Sequence, residues 1–108
     1  MPARGVFLVT GLPATGKTTL AQALARALQV PLLSKDAIKE PLLDALGAPD
    51  RAASRVLSDV SFAVLFALAQ EQLAATGAVV LEGNFESLLK DHGCVGLFSL
   101  HQCCHIVR

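Results

Sequence analysis

Eight residues carry the most explicit chemistry in the chain: Gly11-Leu12-Pro13-Ala14-Thr15-Gly16-Lys17-Thr18. They fit the spacing G-x-x-x-x-G-K-[ST] at every fixed position, the pattern of a loop that wraps phosphate. Its two glycines allow a tight turn, so that successive backbone N–H groups can aim inward at anionic oxygens. Lys17 adds a point charge suited to β- and γ-phosphates, and the Thr18 hydroxyl is a ligand type that Mg²⁺ accepts. Together with Thr19 these residues form the expected nucleotide site.

Two further groups lie where apolar runs give way to polar residues. Ser34-Lys35-Asp36 follows Val30-Pro31-Leu32-Leu33, and Glu82-Gly83-Asn84 follows Ala78-Val79-Val80-Leu81. Asp36 can accept the proton of an attacking hydroxyl, which makes it a candidate catalytic residue beside Lys17. The alternative is an ordinary helix cap, a role compatible with the first, and the residue's place at a strand end favours the substrate side. Lys39, three residues on, either steadies a substrate or is a solvated lysine. Glu82 is placed to share a Mg²⁺ ion with Thr18, although Asp is the more usual residue; a solvated strand end is the alternative.

The elements that must position these groups follow from periodicity. Val6 to Val9 is a short apolar run that reads as a buried strand, and Thr18 to Gln29 places Leu20, Ala21, Leu24, Ala25 and Leu28 at helical spacing. The phosphate loop therefore sits between a strand and a helix, whose N-terminal dipole favours anions. Val30 to Leu33 is a second strand. Pro41 argues against one continuous helix after it, so the pattern predicts a turn over residues 36–40 and a short helix ending at Gly47.

A long helix is expected from Asp50 to about Thr76, capped by Asp50 and stopped by Gly77. Its second half, Phe62 to Leu73, is apolar almost all round and is expected to be largely buried. Residues 78–81 form a third strand, Glu86 to Asp91 a short helix, and Cys103 to Val107 a fourth strand. Strands alternating with helices indicate a parallel sheet with helices on both faces, an α/β three-layer sandwich. Its ligand site belongs at the carboxyl ends of the strands.

Composition narrows the function classes. The chain has 108 residues, a length for one domain, with nine basic and nine acidic side chains. That balance argues against a nucleic-acid or membrane-surface partner. No secretory signal is visible, and the apolar stretch Val60 to Ala69, bounded by Asp59 and Gln70-Glu71, is too short to span a bilayer. Cys94, Cys103 and Cys104 are odd in number, which suits a reducing cytoplasm rather than a disulfide framework. With His92, His101 and His105 they invite a zinc reading, but no C-x-x-C pair supports it. Arg51 and Arg55, one turn apart, read as a solvated helix start.

On the phosphate loop, the run from Ser34 to Lys39 and the run from Val80 to Phe85, the chain resembles the small P-loop kinases of the adenylate-kinase-like class. Zeta-toxin, chloramphenicol phosphotransferase and polynucleotide kinase families are related to these. The resemblance covers Gly5 to about Phe85 and implies ATP and Mg²⁺ as cofactors, with a small-molecule hydroxyl compound as acceptor. In its D-x-x-[KR] pattern Asp36 is the implied base, paired with Lys39. Members of the class continue into a lid helix bearing arginines, a fifth strand and a last helix. Residues 93–108 match that pattern poorly, so the sequence expects an incomplete sandwich whose uncovered apolar surface favours self-association.

Overall fold

A computed structural model of the protein describes residues 4–11, 16–90 and 104–107. Along the chain run β1 (Gly5–Thr10), α1 (Lys17–Leu28), β2 (Leu32–Ser34), α2 (Lys35–Leu46), α3 (Arg51–Thr76), β3 (Ala78–Gly83) and β4 (Cys104–Val107). Residues 86–90 form a further helical turn. The four strands make one sheet in the order β2-β3-β1-β4, and every pairing is parallel.

Both faces of the sheet are covered, so its central strands are apolar throughout rather than alternating. Val6, Leu8, Val79 and Leu81 point to one side and bury against Leu65, Ala69, Leu73 and Phe85. Val9 and Val80 point to the other and meet Ala21 and Ala25 of α1. Residue spacing of two on the strands and four on the helices thus divides the core into two layers. The expected α/β three-layer arrangement is the one observed.

Register is set by the pairing of β1 with β3, which runs from Gly5 opposite Ala78 to Thr10 opposite Gly83. Both strands therefore end at the same level. β2 is shorter and sets Ser34 opposite Glu82. Pro31 has no N–H to give, but its carbonyl accepts from the Val80 N–H at 2.8 Å, which extends the ladder one residue beyond the strand.

Two expectations about helices need correction. Pro41 does not split the segment after β2: α2 is continuous from Lys35 to Leu46 with the proline inside it. Pro41 removes one helical donor and crowds the preceding turn, a cost of about 3 kcal/mol. A cap at Ser34, a glycine end at Gly47 (φ 73°) and packing along α3 with Ile38 against the core offset it. Nor is α3 largely buried. Its ends are as expected, with the Asp50 carboxylate accepting from the Ala53 N–H at 2.8 Å and Gly77 at φ 83°. Its buried stripe is Leu57, Ser61, Leu65, Ala69 and Leu73, flanked by half-buried Phe62 and Phe66 that pack against the core.

A second stripe four residues apart, Val56, Val60, Val64 and Leu68, lies exposed, with Val56 59% accessible. By length and composition α3 is apolar enough to cross a membrane, which the shorter run Val60 to Ala69 is not. The sheet claims one side of it only. The two stripes make opposite demands on substitution. Leu65→Ala, at a side chain with no exposure, is expected to lower unfolding free energy by about 2–5 kcal/mol. Val64→Ser on the exposed stripe is expected to stay within about 0.5 kcal/mol. Urea unfolding of both variants checks the assignment of faces.

Candidate active site

The carboxyl ends of β1, β3 and β2 lie side by side, and each delivers polar residues to the same edge. β1 ends at Thr10 and leads into Gly11, which is half-buried. Leu12, Pro13, Ala14 and Thr15 lie outside the described residues. The chain is described again at Gly16, whose φ of 81° is a left-handed conformation that favours glycine and which serves as N-cap of α1 without a capping side chain. Lys17 opens the helix half-buried, and Thr18 and Thr19 are exposed in its first turn.

Glu82 sits between these strand ends and is only 2% accessible. A carboxylate so enclosed needs hydrogen-bond donors, and two hydroxyls supply them. Thr18 Oγ1 donates to Glu82 Oε1 at 2.9 Å, and Ser34 Oγ donates to the same oxygen at 3.4 Å. The sequence-derived pair Thr18 and Glu82 is thus in direct contact. Their donor set is all oxygen, the type that suits Mg²⁺ rather than a softer metal. No cluster of three His, Cys, Asp or Glu side chains able to hold a metal occurs among the described residues. Most of the His/Cys group weighed for zinc, His92, Cys94, His101 and Cys103, falls outside them.

Ser34 has a second duty. Its hydroxyl accepts from the Ala37 N–H at 3.4 Å and so caps α2. The cap expected of Asp36 therefore belongs to Ser34. Asp36 lies in the first turn of α2, with its side chain 62% accessible and 3.7 Å from Lys35 Nζ. That leaves its carboxylate open to solvent, two residues from a serine that touches Glu82. Lys39 does not pair with Asp36; its ammonium donates to Ser54 Oγ at 3.0 Å. Arg51 and Arg55 are exposed, as a solvated helix start requires.

Two residues of the site, Thr10 and Lys35, have parts that the sequence reading does not assign. Thr10 Oγ1 accepts from the buried Phe85 N–H at 2.9 Å, fastening the segment after β3 to the end of β1. Lys35 packs its stem against Gly83, where an added Cβ would lie 3.1 Å from the lysine Cβ. Its ammonium donates to Ser58 Oγ at 3.2 Å and stands 5.2 Å from the Phe62 ring centre. Burial, and then the neighbouring charge of Lys39, hold Lys35 below its ordinary pKa of 10.5 against the opposing pull of Asp36. A detectable signal did exist: lysines four apart at 35 and 39 match serines four apart at 54 and 58.

Residues 6–92 match a protein family described as an AAA domain. A crystal structure of a candidate kinase from Chloroflexus aurantiacus J-10-fl superposes with a TM-score of 0.81 at 38% sequence identity. The match takes in 95% of this chain and 56% of that one, so the chain spans little more than half the length of that protein. No curated protein matches.

Two outcomes follow from this geometry. Thr10→Val keeps the shape but leaves the Phe85 N–H without its acceptor, and is expected to lower stability by about 1–3 kcal/mol. Thr10→Ser should restore most of it, as urea unfolding would show. For Lys35, a folded pKa below 10.5 means that the unfolded chain binds more protons between the two values. Unfolding free energy should therefore gain an increment as pH rises through that window. Lys35→Met should lack that increment in denaturation curves taken across alkaline pH.

Proposed function

The chain belongs to the AAA domain family that its residues 6–92 match, and from that membership we propose that it binds Mg-ATP and transfers the γ-phosphoryl group to a hydroxyl of a small molecule. The observation that carries this reading is the convergence on Glu82. A phosphate-loop threonine and a serine of a different strand end donate to one buried carboxylate oxygen, and Asp36 stands two residues beyond that serine. The likeness to a candidate kinase supports it.

In this reading the backbone N–H groups from Gly11 to Thr19, Pro13 excepted, cradle the triphosphate, and Lys17 faces the β- and γ-phosphates. Thr18 and Glu82 would hold Mg²⁺, which when bound offsets negative charge on the phosphate oxygens. Asp36 accepts the proton of the acceptor hydroxyl as its oxygen bonds to the γ-phosphorus. The bond from that phosphorus to the β–γ bridging oxygen breaks, and ADP departs with the electron pair. An exposed carboxylate suits this work, because the acceptor must reach it from solvent. The apolar residues beneath, Leu81 and Phe85, are fully buried and exclude water from below the strand end.

Nucleotide capture without turnover is the second reading, because Thr18 and Glu82 serve binding whether or not Asp36 acts on an acceptor. Calorimetric titration with Mg-ATP, followed by an ADP-release assay over a panel of alcohols, separates the two. Lys17→Ala is expected to weaken Mg-ATP binding by about tenfold or more, roughly 1.4 kcal/mol. Asp36→Ala should leave that binding intact and lower kcat by about 10²–10⁴. Unchanged transfer in Asp36→Ala would remove the residue from the mechanism, and unchanged binding in Lys17→Ala would overturn the nucleotide site.

A further inference from the structure

The outward surface of α3 is built from two neighbouring rows of side chains, each spaced by four residues. One is the exposed apolar stripe of Val56, Val60, Val64 and Leu68. The other is Arg55, Asp59, Ala63, Ala67 and Glu71, all of them exposed. Between Asp59 and Gln70 the exposed residues are Val60, Ala63, Val64, Ala67 and Leu68. Nearly three turns of helix thus face outward without one polar side chain. Helix α2 meets α3 along Ser54 and Ser58 and leaves both rows uncovered.

The charges that close this face are opposite at its two ends. Arg51 and Arg55 occupy the N-terminal end, where they add to the positive end of the helix dipole rather than offset it. Glu71 closes the other end, and the last turn holds no basic residue to balance it. Among the described residues neither Arg55 nor Glu71 has an ion-pair partner. Asp59, by contrast, lies within the field of Lys35. Basic at one end, apolar in the middle and acidic at the other, the face is complementary to its own reverse.

We propose that two copies of the chain pair through this face, α3 against α3 in antiparallel orientation about a two-fold axis beside Ala63. Ala63 lies midway between Arg55 and Glu71, so an axis there sets each arginine opposite the glutamate of the other copy at both ends at once. Parallel alignment would set arginine against arginine and glutamate against glutamate, so charge selects the reversed one. Ala63 and Ala67 let the two backbones approach, and the valine stripes then leave water together. A bilayer is the poorer occupant. Helices that lie on membranes line their apolar face with Lys and Arg, whereas this face is edged by Asp59 and Glu71 as well as Arg55. The pairing does not rest on the nucleotide reading, and it gives the self-association expected from the sequence a face and a symmetry.

Sedimentation equilibrium of the full chain over a range of concentrations reads the association directly. A monomer–dimer equilibrium is expected. Ala63→Glu, which sets two carboxylates face to face at the axis, should weaken it by about tenfold or more. Arg55→Glu and Glu71→Arg should each weaken it by about tenfold, and the two together should recover the dimer, because the facing charges are again opposite. Arg26→Glu, on α1, should change nothing. Every substituted side chain is exposed, so each variant should keep the circular dichroism of the unsubstituted chain, which separates loss of pairing from loss of fold. A chain that stays monomeric at every concentration overturns the proposal. So does a monomer that floats with vesicles of phosphatidylcholine and phosphatidylserine, since the face then serves a bilayer. Association indifferent to Ala63→Glu places the contact elsewhere, and charge reversals that are not rescued in combination overturn the antiparallel arrangement.

Discussion

A carboxylate enclosed by protein has to be surrounded by donors, and the edge of this sheet is arranged to meet that demand at Glu82. With 2% of its surface accessible, an unpartnered carboxylate would be several kcal/mol too costly to tolerate. Thr18 and Ser34 reach it from two different crossovers. Each can do so only because β1, β2 and β3 end at one level, which their parallel register fixes. The same interaction that stabilises the fold therefore brings the first turn of α1 to the first turn of α2. Structure and candidate chemistry are joined at one oxygen atom.

Ser34 shows how closely the parts are coupled. One hydroxyl closes the strand edge by donating to Glu82 and opens α2 by accepting from Ala37. Replacing it would disturb the orientation of Asp36 and the environment of Glu82 together. Thr10 plays a comparable part on the other side, where its acceptor oxygen holds Phe85 in the core. Phe85 in turn packs against Phe62 and Phe66 of α3. A chain of short contacts thus runs from the phosphate-loop strand to the long helix.

Local signals were legible where the physics is local. The strand before Gly11, the Asp50 cap and the Gly77 stop depend on neighbouring residues alone, and each is where the sequence places it. Burial of α3 was misjudged because an apolar residue is not evidence of something to pack against. Val60 and Leu65 look alike in sequence, yet only Leu65 faces the sheet. Pro41 was misread for a related reason: its cost is local, while the packing along α3 that offsets it is not. Glu82 was legible as a strand-end acid. The hydroxyl of Ser34 was not, because its significance depends on a carboxylate 48 positions away. The lysine and serine pairs show their spacing in sequence, but not that they face each other.

The pairing of β1 with β3 also orders events in time. The strand that leads into the phosphate loop is made before its hydrogen-bonding partner, Ala78–Gly83, which follows α2 and α3. Closing so long a loop is slow, because its entropy is spent before any strand contact is gained. Until then Val6, Leu8 and Val9 have no parallel neighbour, and Thr18 has no Glu82 carboxylate to donate to. The nascent chain thus carries its most recognisable motif through the synthesis of α1, α2 and α3 before Glu82 can meet it. In the proposed reading, competence for nucleotide is a late property of folding, conferred by Ala78–Gly83 on the strand made before it.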